Sequence, residues 1–338
     1  MGLFTIRVTI SDVAKQAGVS RATAARILGG YAGPWSRARE QVLQAAQDLA
    51  YFPNNMAKSL ASRRSYKIGV LLPDMENLFF AKIFRGIESV CEPEGFRVLL
   101  GITGENTDRE QSLLAELLSD QVEGVIVAPA GGWLDPAAVH VPLVCVDRVP
   151  EDVVTPYNWV TTDNYQSAYV ATCHLAEQGY ERVAMITNLP HLSTIQARVA
   201  GVEAAGTACG LSPQPSLVTK SHKLDEMVTE IVAWLRTVRP DAVVAMNAVI
   251  CMAVITAARD IGLSIDTELG IVGYDDESWM PLVHPAITAI HQPAQEMGER
   301  TARILLDHIA APGSPPVQMK LAGSLIVRES THKTVRIR

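Results

Sequence analysis

Residues 9–28 read TISDVAKQAGVSRATAARIL, and this stretch predicts the structure of the N-terminal part of the chain. Thr9 can cap a first helix, with Asp12 as the acidic partner of a capping box. Apolar residues then recur at helical spacing until Gly18, which allows a tight turn. Ser20 can cap a second helix that continues to the end of the stretch. Two short helices joined by a glycine-containing turn predict a helix-turn-helix motif.

The second helix of such a motif enters the major groove of DNA. Its apolar side consists of Val19, Ala24, Ile27 and Leu28. On or near the opposite side lie Arg21, Ala22, Thr23 and Arg26. Arginine suits base recognition because its planar fork can bond O6 and N7 of guanine together. A third helix is predicted over Arg37 to Leu49, with a buried stripe of apolar residues.

The charge of the chain is distributed unevenly. A net charge of −7 over 338 residues taken alone argues against a nucleic-acid-binding protein. Residues 1–66, however, hold nine Lys/Arg and three acidic residues and carry +6, which leaves −13 on the remaining 272 residues. This asymmetry indicates a small anion-binding module attached to an acidic body. A solvated basic face without a partner is the alternative, and the helix-turn-helix pattern favours DNA.

Cysteine usage and hydropathy predict a cytoplasmic protein. The five cysteines are far apart and odd in number, which disfavours a disulfide framework and a zinc finger and fits a reducing compartment. The first ten residues lack the pattern of a signal peptide. One uncharged run, residues 242–258, approaches the length of a membrane span, but a buried strand followed by a helix explains it better.

From Lys67 onward, short apolar runs alternate with helical patterns. The predicted strands are IGVLLP (68–73), RVLLGI (97–102), GVIVAP (124–129), PLVCVD (142–147), RVAMIT (182–187), SLVT (216–219), AVVAM (242–246) and GIVGYD (270–275). The predicted helices include 79–92, 107–119, 166–178, 196–209, 224–238 and 248–261. This alternation predicts an α/β body with parallel sheets covered on both faces. The two series of strands predict two similar subdomains.

Motifs of common enzyme classes are missing from the sequence. It contains no G-x-S-x-G, no phosphate-binding P-loop, no complete G-x-G-x-x-G and no H-E-x-x-H. The eight histidines show no metal-ligand spacing, and the pair Asp275–Asp276 lacks an accompanying nucleophile. We therefore expect no enzymatic activity, no catalytic residues, no metal and no cofactor.

The run at 9–28, followed by YFPNNMAKSL at 51–60, resembles the start of the lactose-repressor (LacI) family of bacterial transcription regulators, and the body is also similar. The resemblance implies that Arg21, Ala22 and Arg26 read bases and that Thr23 contacts a phosphate. It further implies that a hinge helix forms on DNA, in which Leu60 enters the minor groove while basic groups such as Lys58 hold phosphates.

Two departures from the family pattern bear on the helix-turn-helix. Ala24-Ala25 stands where the family usually has Val-Ser, which removes one hydroxyl and two methyl groups. Pro34-Trp35 replaces a usual Val-Ser before the third helix, so Ser36 is the expected N-cap in its place. Neither change removes a base-reading arginine.

The resemblance also implies a domain organisation. Residues 1–53 form the helix-turn-helix domain, 54–66 the hinge, and 67–338 an effector-binding and dimerisation domain like the periplasmic binding proteins. Within the last of these, one subdomain spans about 67–163 and 292–321, and the other spans about 164–291 and 322–338. Ligands of such sheets bind at the carboxyl ends of the strands, in the cleft between the halves.

Candidate effector-binding residues follow the predicted strands. They are Phe79, Phe80, Arg148, Asp163, Thr194, Arg198, Asn247, Asp275 and Trp279. Aromatic faces can cover the C–H surface of a sugar, Asp, Asn and Arg can bond its hydroxyls, and Arg148 and Arg198 can pair with a carboxylate. For Phe79 and Phe80 core packing is an equal alternative, and for Asp275 the alternative is capping of the following loop.

The segments LPHLSTIQARVAG (189–201) and YDDESW (274–279) resemble the subgroup that senses ketogluconate and ketodeoxygluconate. The expected protein is a homodimeric repressor of a near-palindromic operator, released by such a sugar acid. A neutral monosaccharide as effector, a corepressor role for the ligand, and a soluble sugar-binding protein without DNA function stay open.

Overall fold

The computed structural model describes residues 8–29, 36–51, 64–131, 139–149, 157–221 and 223–333. The chain divides into two compact units, Met1–Ser65 and Tyr66–Arg338. The predicted hinge contacts Lys58 and Leu60 lie outside the described residues.

The N-terminal unit contains three described helices, α1 (Ile10–Gln16), α2 (Arg21–Leu28) and α3 (Arg37–Asp48). The Thr9 backbone N–H donates to the Asp12 carboxylate at 2.8 Å, and the Thr9 hydroxyl donates to it at 2.7 Å. Gly18 adopts the left-handed conformation, with φ of +65°, and makes the turn between α1 and α2. Ser20 Oγ accepts from the Thr23 backbone N–H at 3.1 Å. The predicted helix-turn-helix is confirmed.

The core of this unit is small and is built from all three helices. Val13, Ala24 and Val42 are fully buried and come from α1, α2 and α3 respectively. The alanine that replaces the usual valine at position 24 therefore lies at the centre of the core. Helix α3 begins after Ser36, whose Oγ accepts from the Arg39 backbone N–H at 3.3 Å, as expected from the loss of the usual cap.

The body contains two six-stranded sheets among its described residues. The strands are β1 (Lys67–Leu72), β2 (Arg97–Ile102), β3 (Gly124–Val127), β4 (Leu143–Val146), β5 (Asn158–Thr162), β6 (Val183–Thr187), β7 (Leu217–Val218), β8 (Ala242–Ala245), β9 (Gly270–Tyr274), β10 (Thr288–His291), β11 (Gln318–Leu321) and β12 (Ser324–Ile326). The first sheet has the order β11-β5-β4-β3-β1-β2, and the second has the order β12-β10-β9-β8-β6-β7. Every pair of neighbours is parallel except β10 and β12, which confirms the predicted parallel sheets.

Helices cover the sheets. They are α4 (Leu78–Cys91), α5 (Thr107–Ser119), α6 (Asn164–Glu177), α7 (Ser193–Ala208), α8 (Leu224–Val238), α9 (Ala248–Asp260) and α10 (Ala294–Ala310), and a 3₁₀ turn follows at Glu329–Thr331. The chain passes from one sheet to the other after β5, after β10 and after β11. The apolar run at 242–258 forms β8 and most of α9, and no helix in the described ranges is long and apolar enough to cross a membrane.

Four strands escaped the sequence pattern, namely β5, β10, β11 and β12. The predicted strands are apolar runs, and β1, β3, β4, β8 and β9 are accordingly almost entirely buried. In contrast, β11 (QMKL) and β12 (SLI) are short edge strands without a fully buried residue. Strands that bury little apolar surface leave little hydrophobic periodicity to detect, which accounts for β11 and β12. The strands β5 (NWVTT) and β10 (TAIH) are largely buried, but they mix polar with apolar residues and form no continuous apolar run.

Candidate functional site

The outer face of α2 carries the predicted DNA contacts. Arg21, Ala22 and Arg26 are exposed on it, and Ala22 and Arg26 are neighbours because they lie four residues apart. Thr23 is half-buried, with its hydroxyl 2.9 Å from that of Ser20. The face thus presents two guanidinium groups around a methyl group, and both arginines lie outside the core that holds the helix in place.

A cavity of about 470 Å³ opens at the carboxyl ends of the strands of both sheets. Its walls include seven of the nine predicted effector contacts, namely Phe79, Phe80, Arg148, Thr194, Arg198, Asn247 and Asp275. The chain thus brings together side chains that are up to 196 positions apart in sequence. We call this cavity the cleft.

Arg148 forms one charged centre of the cleft and is only 6% exposed. Its Nη1 and Nη2 donate to the two carboxylate oxygens of Glu105 at 2.6 and 2.7 Å, and Nη1 also donates to the Pro129 carbonyl oxygen at 3.0 Å. The guanidinium carbon lies 5.6 Å from the centre of the Phe80 ring. This bidentate ion pair fixes the plane of the guanidinium group and compensates its charge.

Asp147 lies beside Arg148, with Oδ2 at 3.5 Å from Arg148 Nε. Burial raises the pKa of the Asp147 carboxyl to about 6, although the positive charges of Arg148 and Arg198 favour its ionised form. Its backbone is left-handed, with φ of +66°. A buried acid in an unfavourable backbone conformation is typical of a functional position rather than of a stabilising one.

Arg198 forms the second charged centre and is 5% exposed. Its Nε donates to Asn164 Oδ1 at 2.7 Å, Nη1 donates to the Met246 carbonyl oxygen, and Nη2 donates to Gln292 Oε1 at 3.4 Å. The guanidinium group also lies over the ring of Tyr274, 4.1 Å from its centre. Four separate segments, namely the start of α6, the ends of β8 and β10, and β9, therefore hold this side chain in one orientation.

Asp275 follows β9 and binds in two directions. Its Oδ1 accepts from Gln292 Nε2 at 2.6 Å, and its Oδ2 accepts from the Ala248 backbone N–H at 3.1 Å. The second contact places the carboxylate at the N-terminus of α9, where the helix dipole favours negative charge. Asn247 caps the same helix, since its Oδ1 accepts from the Ile250 backbone N–H at 2.8 Å.

The aromatic pair at the start of α4 has a dual position. Phe79 and Phe80 line the cleft, and both are also buried in the core of the first sheet. Their rings meet edge to face, with centres 5.2 Å apart. Both residues therefore line the cleft and pack in the core, which are the two alternatives that the sequence left open.

The N-terminal unit and the body each match a known family. Residues 9–54 match the profile described as "Bacterial regulatory proteins, lacI family", and residues 172–331 match "Periplasmic binding protein-like domain". The HTH-type transcriptional regulator KdgR of Bacillus subtilis is 30% identical over an alignment that covers 95% of this chain and 97% of the relative. The chain belongs to the LacI family. It is accordingly a DNA-binding transcriptional regulator, as the helix-turn-helix predicted.

Other relatives of this LacI-family regulator agree with the assignment. The HTH-type transcriptional regulator PtxS of Pseudomonas aeruginosa is 31% identical, and the alignment covers 96% of each chain. The solved complex of the transcriptional regulator CelR with cellobiose is 27% identical, has a TM-score of 0.71, and is covered over 96% of this chain and 100% of that one. The lac repressor dimer bound to operator and the anti-inducer ONPF has the same fold, with a TM-score of 0.84 at 23% identity over 96% of this chain and 99% of that one.

Two predicted contacts of the LacI-family regulator, Asp163 and Trp279, are not among the residues that line the cleft. Asp163 caps α6, where its side chain accepts from the Gln166 backbone N–H at 3.0 Å. Its neighbour Asn164 is the residue that reaches Arg198. Trp279 packs against the hydrophobic core of the second sheet, so its apolar ring is used in folding.

Sequence reasoning missed Glu105 and Gln292, which hold the two arginines of the cleft. Glu105 lies in the turn between β2 and α5, and Gln292 follows β10 directly. Because β10 was not predicted as a strand, the residue at its carboxyl end could not be placed at the cleft. Recognition of TAIH as a strand would have been the signal for Gln292. Over the described part of the chain, no three His, Cys, Asp or Glu residues are arranged to hold a metal ion.

Proposed function

We propose that this LacI-family regulator is a homodimeric repressor that a small sugar acid, similar to ketogluconate, releases from a near-palindromic operator in the cytoplasm. Each protomer places α2 in the major groove of one half-site, with Arg21, Ala22 and Arg26 toward the bases and Thr23 toward a phosphate. Lys58 and Leu60 of the hinge add contacts at the centre of the operator. The observation that carries the effector class is the presence of two buried arginines in one cleft.

The chemistry of the cleft suits a small polyhydroxylated acid. The volume of about 470 Å³ lies in the range of small-molecule sites. Phe79 and Phe80 offer apolar surface to C–H groups, while Asp275, Asn247 and Thr194 offer polar atoms to hydroxyls. A guanidinium fork binds a carboxylate through two parallel hydrogen bonds, which lysine cannot reproduce.

A neutral monosaccharide is the second candidate, and one contact favours it. The fork of Arg148 is already occupied by the Glu105 carboxylate. A sugar acid that uses Arg148 must displace Glu105, which then needs new hydrogen bonds or water. A neutral sugar can bind beside the intact pair, because its hydroxyls both donate and accept.

The proposed coupling between ligand and DNA follows from the composition of the cleft. Arg148 and Phe80 come from the side of the first sheet, and Arg198 and Asp275 come from the side of the second. A ligand that touches all four stabilises one relative position of the two sheets. If DNA favours another position, the ligand lowers the DNA affinity, and by linkage DNA lowers the affinity for the ligand by the same factor.

The test is a thermal-shift screen with matched pairs of ligands, in which each sugar acid is compared with its neutral parent sugar. A ligand that binds the folded state raises the melting temperature by mass action. We expect gluconate and ketogluconate to raise it and glucose to leave it unchanged. The variant Glu105→Gln should bind the acid more tightly, since the competing carboxylate is gone, whereas the affinity for a neutral sugar should change little.

The active ligand is then titrated against a protein–operator complex, with operator fragments selected from random DNA. We expect operator affinity to fall as ligand is added. Tighter operator binding with ligand would instead establish a corepressor. Failure to bind DNA selectively even at low salt would contradict a regulator and leave a sugar-binding protein. We also propose that the cleft binds without turnover, so the ligand should be recovered unchanged after incubation.

A further inference from the structure

Two cysteines touch each other at the contact between α6 and α7. Cys173 lies on α6, and Cys209 caps the C-terminus of α7. The two sulfur atoms are 3.2 Å apart, and Cys209 Sγ–H is directed at Cys173 Sγ. Cys209 is exposed and Cys173 is half-buried, so both can be reached from solvent. Both thiols are free.

The packing of the two helices keeps this contact in place. Helices α6 and α7 run side by side, and Gly201 of α7 allows their backbones to approach, since a methyl group at Gly201 would collide with the Tyr165 carbonyl oxygen. Cys173 and Cys209 each lie about two turns further along their helices than this contact. A disulfide bond is about 2.05 Å long, so the sulfurs need to approach by about 1.2 Å.

The other three cysteines differ from this pair. Cys91, Cys145 and Cys251 are completely buried, each in a separate place in the cores of the body. They behave as small apolar side chains. The body thus contains two kinds of cysteine, namely three buried ones that pack in the cores and one pair in contact near the surface.

We propose that Cys173 and Cys209 are a modification site, at which a hydroperoxide forms a reversible disulfide between α6 and α7. The Cys209 sulfur attacks one peroxide oxygen, the O–O bond breaks, and Cys209 sulfenic acid and water are formed. The Cys173 sulfur then attacks the Cys209 sulfur, the S–S bond forms, and the S–O bond breaks with loss of a second water. Two thiols lose two electrons and two protons in total, and hydrogen peroxide is reduced to two molecules of water.

Burial, and the close contact with the Cys209 thiol, raise the pKa of the Cys173 thiol to about 11. Cys173 is therefore protonated near neutral pH, and the exposed Cys209 is the sulfur that an oxidant meets first. In a reducing compartment the pair rests as two thiols, since cytosolic reductants keep thiols reduced. The disulfide forms only while an oxidant is present.

The cross-link acts on the helix pair that supports Arg198. Helix α6 begins at Asn164 and α7 carries Arg198, and these two side chains share a hydrogen bond of 2.7 Å. The disulfide would join the same two helices at their opposite ends. It should restrain their relative motion and increase the protection of their amide groups against hydrogen exchange.

The experiment uses the full-length protein, reduced with dithiothreitol, freed of it, and treated with a small excess of hydrogen peroxide. We expect the number of titratable thiols in denaturant to fall from five to three. Non-reducing peptide mapping should show one linked pair, with Cys173 and Cys209 joined and two hydrogen atoms lost. Dithiothreitol should restore all five thiols. Hydrogen exchange in residues 164–177 and 193–208 should slow down in the oxidised form and recover on reduction.

The variants Cys173→Ala and Cys209→Ala serve as matched controls, since each removes one partner at or near the surface. Neither should lose a pair of thiols under peroxide, and Cys173→Ala should trap Cys209 as a sulfenic acid that dimedone labels. Five intact thiols in the treated wild type would overturn the proposal. So would a Cys209 oxidised to sulfinic acid while Cys173 still reacts with iodoacetamide, because the pair would then fail to close.

Discussion

The outer face of α2 and the cleft use arginine in opposite ways. On α2, Arg21 and Arg26 are exposed and stand on a helix whose fold depends on other residues. In the cleft, Arg148 and Arg198 are buried and are held by hydrogen bonds that they donate to residues distant in sequence. Removal of an exposed arginine is therefore expected to change mainly binding, whereas removal of a buried one changes both binding and stability.

The largest expected effect is that of Arg198→Ala. The change leaves the Met246 carbonyl, Asn164 Oδ1 and Gln292 Oε1 without their donor inside the protein. We expect the free energy of unfolding of the body to fall by about 3 kcal/mol, and the effector response to be lost. Urea denaturation and the operator titration with effector measure the two losses.

The matched control for this variant is Arg300→Ala, which removes an exposed arginine that pairs with Glu296 one turn away on α10. Such a surface pair contributes little, so stability should change by less than about 1 kcal/mol. An Arg198→Ala protein as stable as this control would contradict the contrast between the two classes of arginine.

The next effect is on DNA. Arg26→Ala should weaken operator binding by about 1–3 kcal/mol, because a base contact is lost, and should change the melting temperature much less than Arg198→Ala does. Fluorescence anisotropy on operator and on random DNA separates base contacts from phosphate contacts. Arg37→Ala, an exposed arginine of α3, is the control and should lower both affinities equally or neither. Equal losses for Arg26→Ala on the two DNAs would assign Arg26 to a phosphate.

A smaller effect tests whether α2 is a self-contained element. Ser20→Ala removes the oxygen that accepts the Thr23 backbone N–H at the start of α2. The helix should lose about 1 kcal/mol, which hydrogen exchange of the α2 amides reports. Ser11→Ala, inside α1, should leave α1 as stable or slightly more stable, since alanine is the better helix former. Unchanged exchange in Ser20→Ala would mean that packing alone holds the helix.

The fourth effect is a pH dependence that belongs to the cleft. The pKa of Asp147 is about 6 in the folded protein and 3.8 without the fold, so the folded state binds this proton more tightly. The stability that Asp147 contributes is complete below about pH 4 and disappears as the pH rises through 6. Urea midpoints between pH 4 and 7 should therefore fall less steeply for Asp147→Asn than for the wild type. Parallel curves would refute the raised pKa.

The same contrast explains what could be predicted from the sequence. The helix-turn-helix is local: Thr9, Asp12, Gly18 and Ser20 act within a few residues of their own positions, and all four behave as their chemistry predicts. The strands of the two sheets were found where they form continuous apolar runs, whereas the buried strands β5 and β10, which mix polar with apolar residues, were missed. Local chemistry and hydrophobic periodicity therefore account for the fold and for the exposed face of α2.

The cleft was predictable only in part because its contacts join residues that are distant in sequence. Position after a strand identified Arg148, Asn247 and Asp275 as cleft residues. Nothing in the sequence relates Glu105 to Arg148 across 43 positions, or Gln292 to Arg198 across 94. Position after a strand also misleads, because a polar or aromatic residue there can cap a helix, as Asp163 does, or pack against the core, as Trp279 does.

The two sheets have matching strand orders, in which β4 and β9 occupy the same place. Asp147 directly follows β4, and Asp275 directly follows β9, so the two residues occupy corresponding positions. Both have a left-handed backbone, with φ of +66° and +78°. Glycine would relieve the conformation but remove the carboxylate, most other residues would be strained, and asparagine tolerates it without the charge. In a saturation mutagenesis library, far fewer amino acids should be tolerated at these two positions than at neighbouring positions. Substitutions that change the ligand preference during evolution should therefore occur at the other residues that line the cleft.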